Sequence, residues 1–278
     1  MTERPAWAPQ GIDLSMPSVS RIYDYYLGGS HNFEVDREAA RQAMAAYPGL
    51  PKIMQANRAF LRRAVRFAVA EGVTRFLDIG SGIPTFGNVH EIAQRADPRS
   101  RVVYVDHDPV AVEHSRAVLA GNDRATVVAA DLRSPDDILG SPPVAELLAP
   151  GRPVALLLVA VLHFLQDADE PRKAVAGLRD ALPSGSLLIL THATEQDGPM
   201  RPEAGERVRG VYQAIGSPLC TRSRDRVADF FEGFTLVEPG LVPMDAWRPE
   251  DDGPGAPAPG GMDGRAGAAG FAGVGRKP

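Results

Sequence analysis

Three carboxylates recur at comparable places in three short apolar runs. Arg75–Ile79 carries Asp78 and runs into Gly80-Ser81-Gly82, Arg101–Val105 is followed by Asp106-His107-Asp108, and Ala125–Ala129 by Ala130-Asp131-Leu132. Glycines directly after a buried strand let the backbone turn sharply and approach a ligand with no Cβ in the way. A carboxylate at the end of the next strand can accept hydrogen bonds from both hydroxyls of a ribose, and one at the end of the third can reach an adenine amino group. Alone, Gly80 and Gly82 fit an ordinary turn, and each aspartate fits a helix N-cap. Together Asp78, Gly80, Ser81, Gly82, Asp106, Asp131 and Leu132 describe an adenosine site along one sheet edge, with His107 flanking it.

Two histidines, His163 and His192, follow the fourth and fifth apolar runs and so fall near the same edge. A histidine titrating near neutrality can take a proton from a hydroxyl or amine that attacks an electrophilic carbon, and these two are the candidate catalytic residues. The other reading of His163 is a core histidine or a neighbour of the adenine. Tyr23–Arg37 brings together tyrosines, the Gly28-Gly29 break, His31, Asn32 and Asp36. It reads as a lid hinged at the glycines with Tyr23 or Tyr26 facing the ligand, or as rings buried against the sheet. Arg58, Arg62 and Arg66 recur every four residues and read as a solvated helix face. Arg21 or Arg58 is also placed to meet a ligand carboxylate. The six histidines show no metal spacing, so no metal centre is expected. The chain has no G-x-S-x-G elbow, and Cys220 has nothing nearby to activate it.

The elements that must position these groups follow from pattern. Before residue 72 the chain reads as helices: Val19, Ile22, Tyr23 and Tyr26 share a face after Ser18, then come Val35–Ala46 and Pro51–Glu71. From Arg75 onward, short apolar runs bounded by Gly, Pro, Asp or Ser alternate with helical stretches. The runs are Arg75–Ile79, Arg101–Val105, Ala125–Ala129, Val154–Val159, Ser186–Thr191 and Phe234–Val237; the stretches are Asn88–Ala96, Pro109–Ala120, Pro135–Leu148 and Pro171–Ala181. That alternation predicts right-handed βαβ units in a doubly wound, Rossmann-like α/β sheet covered on both faces. The expected division is a flexible arm over 1–17, a helical cap over 18–72 and an α/β domain over 73–278. Within the last, 248–270 is expected as a mobile loop before a final strand at Phe271–Lys277.

The chain has 278 residues, 44% hydrophobic and 23% charged, with a net charge of -5 and one cysteine. This supports a packed core and gives no general attraction to nucleic acid or anionic membrane. The longest apolar run, Pro153–Leu165, is too short to span a bilayer, and no secretory leader is evident, so a reducing, cytoplasmic setting is expected. The oligomeric state is not legible.

Asp78-Ile79-Gly80-Ser81-Gly82, Asp106 and Asp131-Leu132 resemble the first three motifs of class I S-adenosylmethionine-dependent methyltransferases. More closely, the chain resembles the actinobacterial S-adenosyl methyltransferase family. The likeness runs from Ser18-Val19-Ser20-Arg21-Ile22-Tyr23-Asp24-Tyr25-Tyr26-Leu27-Gly28-Gly29, through Asn32-Phe33, Asp36-Arg37, Asn57-Arg58 and Val161-Leu162-His163-Phe164, to Gly273-Val274-Gly275-Arg276-Lys277-Pro278. It implies a seven-stranded sheet, six strands parallel and the last antiparallel beside the fifth, with S-adenosylmethionine as cofactor. The cofactor contacts would be Asp78, Gly80, Ser81, Gly82, Asp106, His107, Asp131 and Leu132, joined by Tyr23 and Arg58 from the cap. A small-molecule acceptor would enter around Leu162, His163 and His192. Pro84 departs from the usual third glycine. A nicotinamide-dependent oxidoreductase is the rival enzyme, disfavoured because Thr85 stands where a pyrophosphate site needs its last glycine. A protein that binds the cofactor without catalysis is the other alternative.

Overall fold

The computed structural model describes residues 13–84, 87–149, 151–196, 198–249 and 266–278. The expectations placed on Thr85, on 1–12 of the arm and on 250–265 of the late loop lie outside the described residues.

Three helices come first, α1 (Val19–Tyr26), α2 (Glu34–Ala46) and α3 (Leu50–Ala70). The α/β part then alternates β1 (Arg75–Ile79), α4 (Val89–Ala96), β2 (Arg101–Asp106), α5 (Pro109–Val118) and β3 (Ala125–Ala129). It continues through α6 (Pro135–Gly140), α7 (Pro142–Leu147), β4 (Ala155–Val159), α8 (Pro171–Ala181) and β5 (Leu187–Ala193). After it come α9 (Pro202–Ala214), α10 (Arg224–Ala228), β6 (Thr235–Leu236), β7 (Val242–Pro243) and β8 (Gly270–Arg276). The strand order is β3-β2-β1-β4-β5-β8-β6, with β7 also paired to β8. β1 to β5 are parallel, and β8 enters antiparallel beside β5 with Leu187 opposite Arg276 and Ala193 opposite Gly270.

Side chains of successive strand residues point to opposite faces, and the core divides accordingly. Phe76, Val102, Leu157 and Ile189 pack with α3 and α4, whereas Leu77, Val103, Leu158 and Leu190 pack with α6, α7 and α8. Asp78 shares the Phe76 face and so lies toward α3. In β8, Gly273 and Gly275 leave room for rings: a Cβ on Gly275 would stand 2.8 Å from Phe231 Cδ1 and from Phe234 Cβ.

One difference from the sequence reading has a plain cause. Pro135–Leu148 is two helices because Ser141, ahead of Pro142-Pro143, is extended (φ -70°, ψ 136°); a residue before proline is pushed out of the helical region. The sheet gains the two-residue β7 as an eighth strand. α9 and α10 were not anticipated, and α9 packs against α2. Arg63 is buried and donates to Trp247 O (2.7 Å) and Met244 O (2.6 Å), binding the segment before 250 to α3.

Candidate active site

A cavity of about 560 Å³ opens at the carboxyl ends of β1, β2, β4 and β5, roofed by α1, the first half of α3, and α9. Parallel sheets place their ligand sites here, where loops converge and helix N-termini point inward. All twelve candidate residues line it: Asp78, Gly80, Ser81, Gly82, Asp106, His107, Asp131, Leu132, Tyr23, Arg58, His163 and His192. Arg21, Tyr26 and Leu162 do not. Arg21 Nε is bound to both oxygens of buried Asp36 (3.0 and 2.9 Å), Tyr26 is buried with its hydroxyl toward Tyr212, and Leu162 is fully buried behind the wall. Arg58 correspondingly leaves the expected solvated face and turns to the cavity, while Arg66 stays exposed.

The glycine loop is folded back over β2, since Gly80 N and Ser81 N both donate to Val105 O (2.8 and 3.2 Å). Gly80 sits at φ +72°, and a Cβ there would lie 2.4 Å from Val161 Cγ2. Gly82, at φ +67°, instead borders open space, with nothing within 4 Å of its would-be Cβ. Its N–H donates to Asp106 Oδ2 (2.7 Å), and Asp108 N donates to Asp106 Oδ1 (2.9 Å). Burial raises the carboxyls of both Asp106 and Asp78, the latter to about 7. Asp131 is the contrast: burial would raise it, but Arg133, through two side-chain nitrogens and its backbone N–H, holds it below the usual range.

The far wall is built by a different set of bonds. Ala193 N donates to His163 Nδ1 (3.3 Å). An amide only donates, so in neutral His163 the proton sits on Nε2. Burial, with His192 and Arg222 adding to it, keeps this imidazole well below its ordinary pKa. His192 has both nitrogens engaged, Nδ1 to Ala193 O (2.8 Å) and Nε2 to the Arg222 guanidinium (2.9 Å). Burial lowers its pKa to about 4, with the Ala193 carbonyl opposing and Arg222 assisting. Arg222 also donates to Leu162 O (3.2 Å), Leu165 O (3.0 Å) and Asp167 Oδ1 (2.9 Å). It thereby ties the loop after β4 to the end of β5.

A second chain of bonds crosses from sheet to cap. Ala160, held in the left-handed region at φ 58°, donates its N–H to Thr191 Oγ1 (2.9 Å), which donates to Asn57 Oδ1 (2.7 Å). Asn57 Nδ2 then donates to the Tyr23 hydroxyl (2.9 Å). Thr191, Arg222 and Tyr212 were not among the candidates, and nothing in their local sequence marks them; Phe164 stood within the family likeness, beside His163. Asn57 stood only within the family likeness.

The family model for S-adenosyl methyltransferases matches residues 5–278. The chain belongs to this family. Its members' chemistry therefore applies at the level of class: the protein is an S-adenosylmethionine-dependent methyltransferase. Two solved structures align over nearly all of this methyltransferase. A DUF574 family protein from Streptomyces avermitilis MA-4680 is 39% identical, with a TM-score of 0.87, over 96% of this chain and 99% of that one. A structure from Thermobifida fusca YX is 38% identical, with a TM-score of 0.88, over 98% and 99%. No functionally curated protein matches the methyltransferase in sequence. No helix among the described residues is long and apolar enough to cross a membrane.

Proposed function

We propose that this methyltransferase methylates a small molecule inside the cavity, with the cofactor's adenosine along the β1–β3 edge and the acceptor under α1, α3 and α9. The observation that carries the reading is the convergence of Gly80–Gly82, Asp106 and Asp131 on one wall opposite His163 on the other. The residues fit the cofactor. Gly82 borders open space, and the buried Ser81 Oγ has no partner among the described residues. Each Asp106 oxygen has spent one lone pair on an amide and keeps another for a ribose hydroxyl. Tyr23 and Arg58 close the same end from above, and His107 stands at its rim. We read 18–72 as the cap, completed by α9 from within the 73–278 catalytic unit.

When bound, S-adenosylmethionine supplies a methyl carbon on a positively charged sulfur; the acceptor's lone pair forms the new bond as the carbon–sulfur pair returns to sulfur. The protein's share is alignment and exclusion of water. Because the lone pair of each histidine is engaged, His163 acts by donating from Nε2, and His192 holds the wall in place.

Calorimetry with S-adenosylhomocysteine tests the reading. Saturable binding is expected, weakened by about 1.5–3 kcal/mol in Asp106→Ala through loss of charge-assisted hydrogen bonds. Saturable NADH binding with none of S-adenosylhomocysteine would overturn it.

A further inference from the structure

The acceptor end of the cavity has a chemistry of its own. Beyond the cofactor edge its walls are Ile53 and Met54 from α3, Phe164 after β4, Val208 and Tyr212 from α9, and Leu219. The rings meet at a corner: the His163 and Phe164 centroids are 4.6 Å apart at 52°, and those of Phe164 and Tyr212 5.9 Å apart at 44°. Tilted rings at these spacings present both faces and edges to a flat guest, the arrangement aromatic groups favour.

Charge is absent from this end in usable form. Of the arginines among the described lining residues, Arg133 is paired with Asp131 and Arg209 with Glu195, while Arg58 lies at the cofactor end, where it donates to Gly87 O (2.8 Å) and faces Asp78. An anionic acceptor would lose its hydration with no cation to replace it. A cationic one would face the cofactor's own positive sulfur. Beside the ring corner, a polar group placed to orient a guest is the Nε2–H of His163, whose other nitrogen is held by Ala193 N.

We propose that the acceptor is an electrically neutral, ring-containing molecule that presents a hydroxyl to His163. The inference rests on the methyltransferase reading. The oxygen type follows from lone-pair counting. A ring nitrogen has one lone pair, which a bond from His163 would occupy; a hydroxyl oxygen has two, so one can accept from Nε2 while the other attacks the methyl carbon. The bond formed is oxygen–carbon and the bond broken is carbon–sulfur, with its pair returning to sulfur. The O–H pair stays on oxygen, and the proton passes to water at the cavity mouth. Donation from a buried N–H eases that loss by stabilising negative charge on the oxygen.

Three probes that share a naphthalene ring and differ in the charge of the group on carbon 2 test this on protein saturated with S-adenosylhomocysteine: 2-naphthol, 2-naphthoate and 2-naphthylmethylammonium. Calorimetry is expected to give 2-naphthol a Kd lower than either charged probe by about tenfold or more. His163→Phe should weaken 2-naphthol about tenfold and leave naphthalene unchanged, with S-adenosylhomocysteine binding as the control for folding. Supplied with S-adenosylmethionine, the wild-type enzyme should form 2-methoxynaphthalene. A charged probe that binds as tightly as 2-naphthol overturns the neutral acceptor, and undiminished 2-naphthol binding in folded His163→Phe overturns the hydrogen bond. Failure of every probe with S-adenosylhomocysteine still bound defeats this inference alone, whereas failure of S-adenosylhomocysteine itself defeats the methyltransferase reading.

Discussion

Asp78→Asn separates what the cofactor edge costs the folded protein from what it does for the ligand. Burial raises the Asp78 carboxyl from an ordinary 3.8 to about 7; Arg58 opposes the rise and Asp106 adds to it. A carboxyl that keeps its proton longer in the folded state than in the unfolded chain makes folding take up a proton. Its contribution to stability is therefore full below pH 3.8, is lost as pH rises to about 7, and stays flat above. The whole span corresponds to about 4 kcal/mol. Asparagine has the same shape and no proton to lose. In urea denaturation of the cofactor-free protein, the variant should gain on the wild type steadily from pH 4 to pH 7, reaching about 4 kcal/mol at pH 8. On the proposed placement of the cofactor, its positive sulfur and ammonium would reverse the balance by favouring the ionised carboxyl. S-adenosylmethionine should bind the wild type more tightly at pH 8 than at pH 6 and release a proton on binding, whereas in the variant both effects should shrink to what Asp106 contributes. A stability difference independent of pH would refute the reasoning, since every other titrating group is common to both proteins.

Three further substitutions probe the frame. Gly80→Ala puts a Cβ against Val161 in a left-handed backbone, and should cost about 2–4 kcal/mol in chemical denaturation and abolish S-adenosylhomocysteine binding. Arg222→Met strips the donor from His192 and from two carbonyls. It should cost about 2–4 kcal/mol, and nitrogen NMR should show the His192 pKa rising only part of the way from about 4, because burial persists, with the Nδ1–H form still held by Ala193 O. Gly275→Val drives a side chain into Phe231 and Phe234 and should cost about 1–3 kcal/mol, read as a lowered denaturation midpoint with an unchanged slope.

The parallel half of the sheet was legible because β1 to β5 are short apolar runs with strong punctuation. Helices between them are fixed by prolines and glycines at their ends. The carboxylates followed, since strand ends in such a sheet share one edge. β8 was another matter: Gly270–Arg276 is glycine-rich, and its place beside β5 came from the family likeness rather than from any pattern. α9 was missed because Gly205 and Gly210 interrupt it and its apolar residues are sparse. The roles of individual polar side chains were least legible. Arg21 and Arg58 look alike in sequence, yet Arg21 is captured by Asp36, fifteen positions away, and Arg58 faces the cavity. Likewise nothing local to His192 announces that Arg222 occupies its second nitrogen. Such outcomes depend on which partner the fold brings within hydrogen-bond reach.

The antiparallel insertion of β8 also sets an order of assembly during synthesis. β1, β2 and β3, with Asp78, Asp106 and Asp131, pair with one another and with β4, and all four leave the ribosome early. β5 emerges with one edge satisfied by β4 and the other, along Leu187-Leu188-Ile189-Leu190, unpaired until Gly273–Arg276 of β8 has been made. An apolar strand edge left open for that interval is a surface for chaperones and for mispairing. The edge bearing the three aspartates can thus form on a nascent chain, while the wall bearing His192 is secured only when β8 arrives.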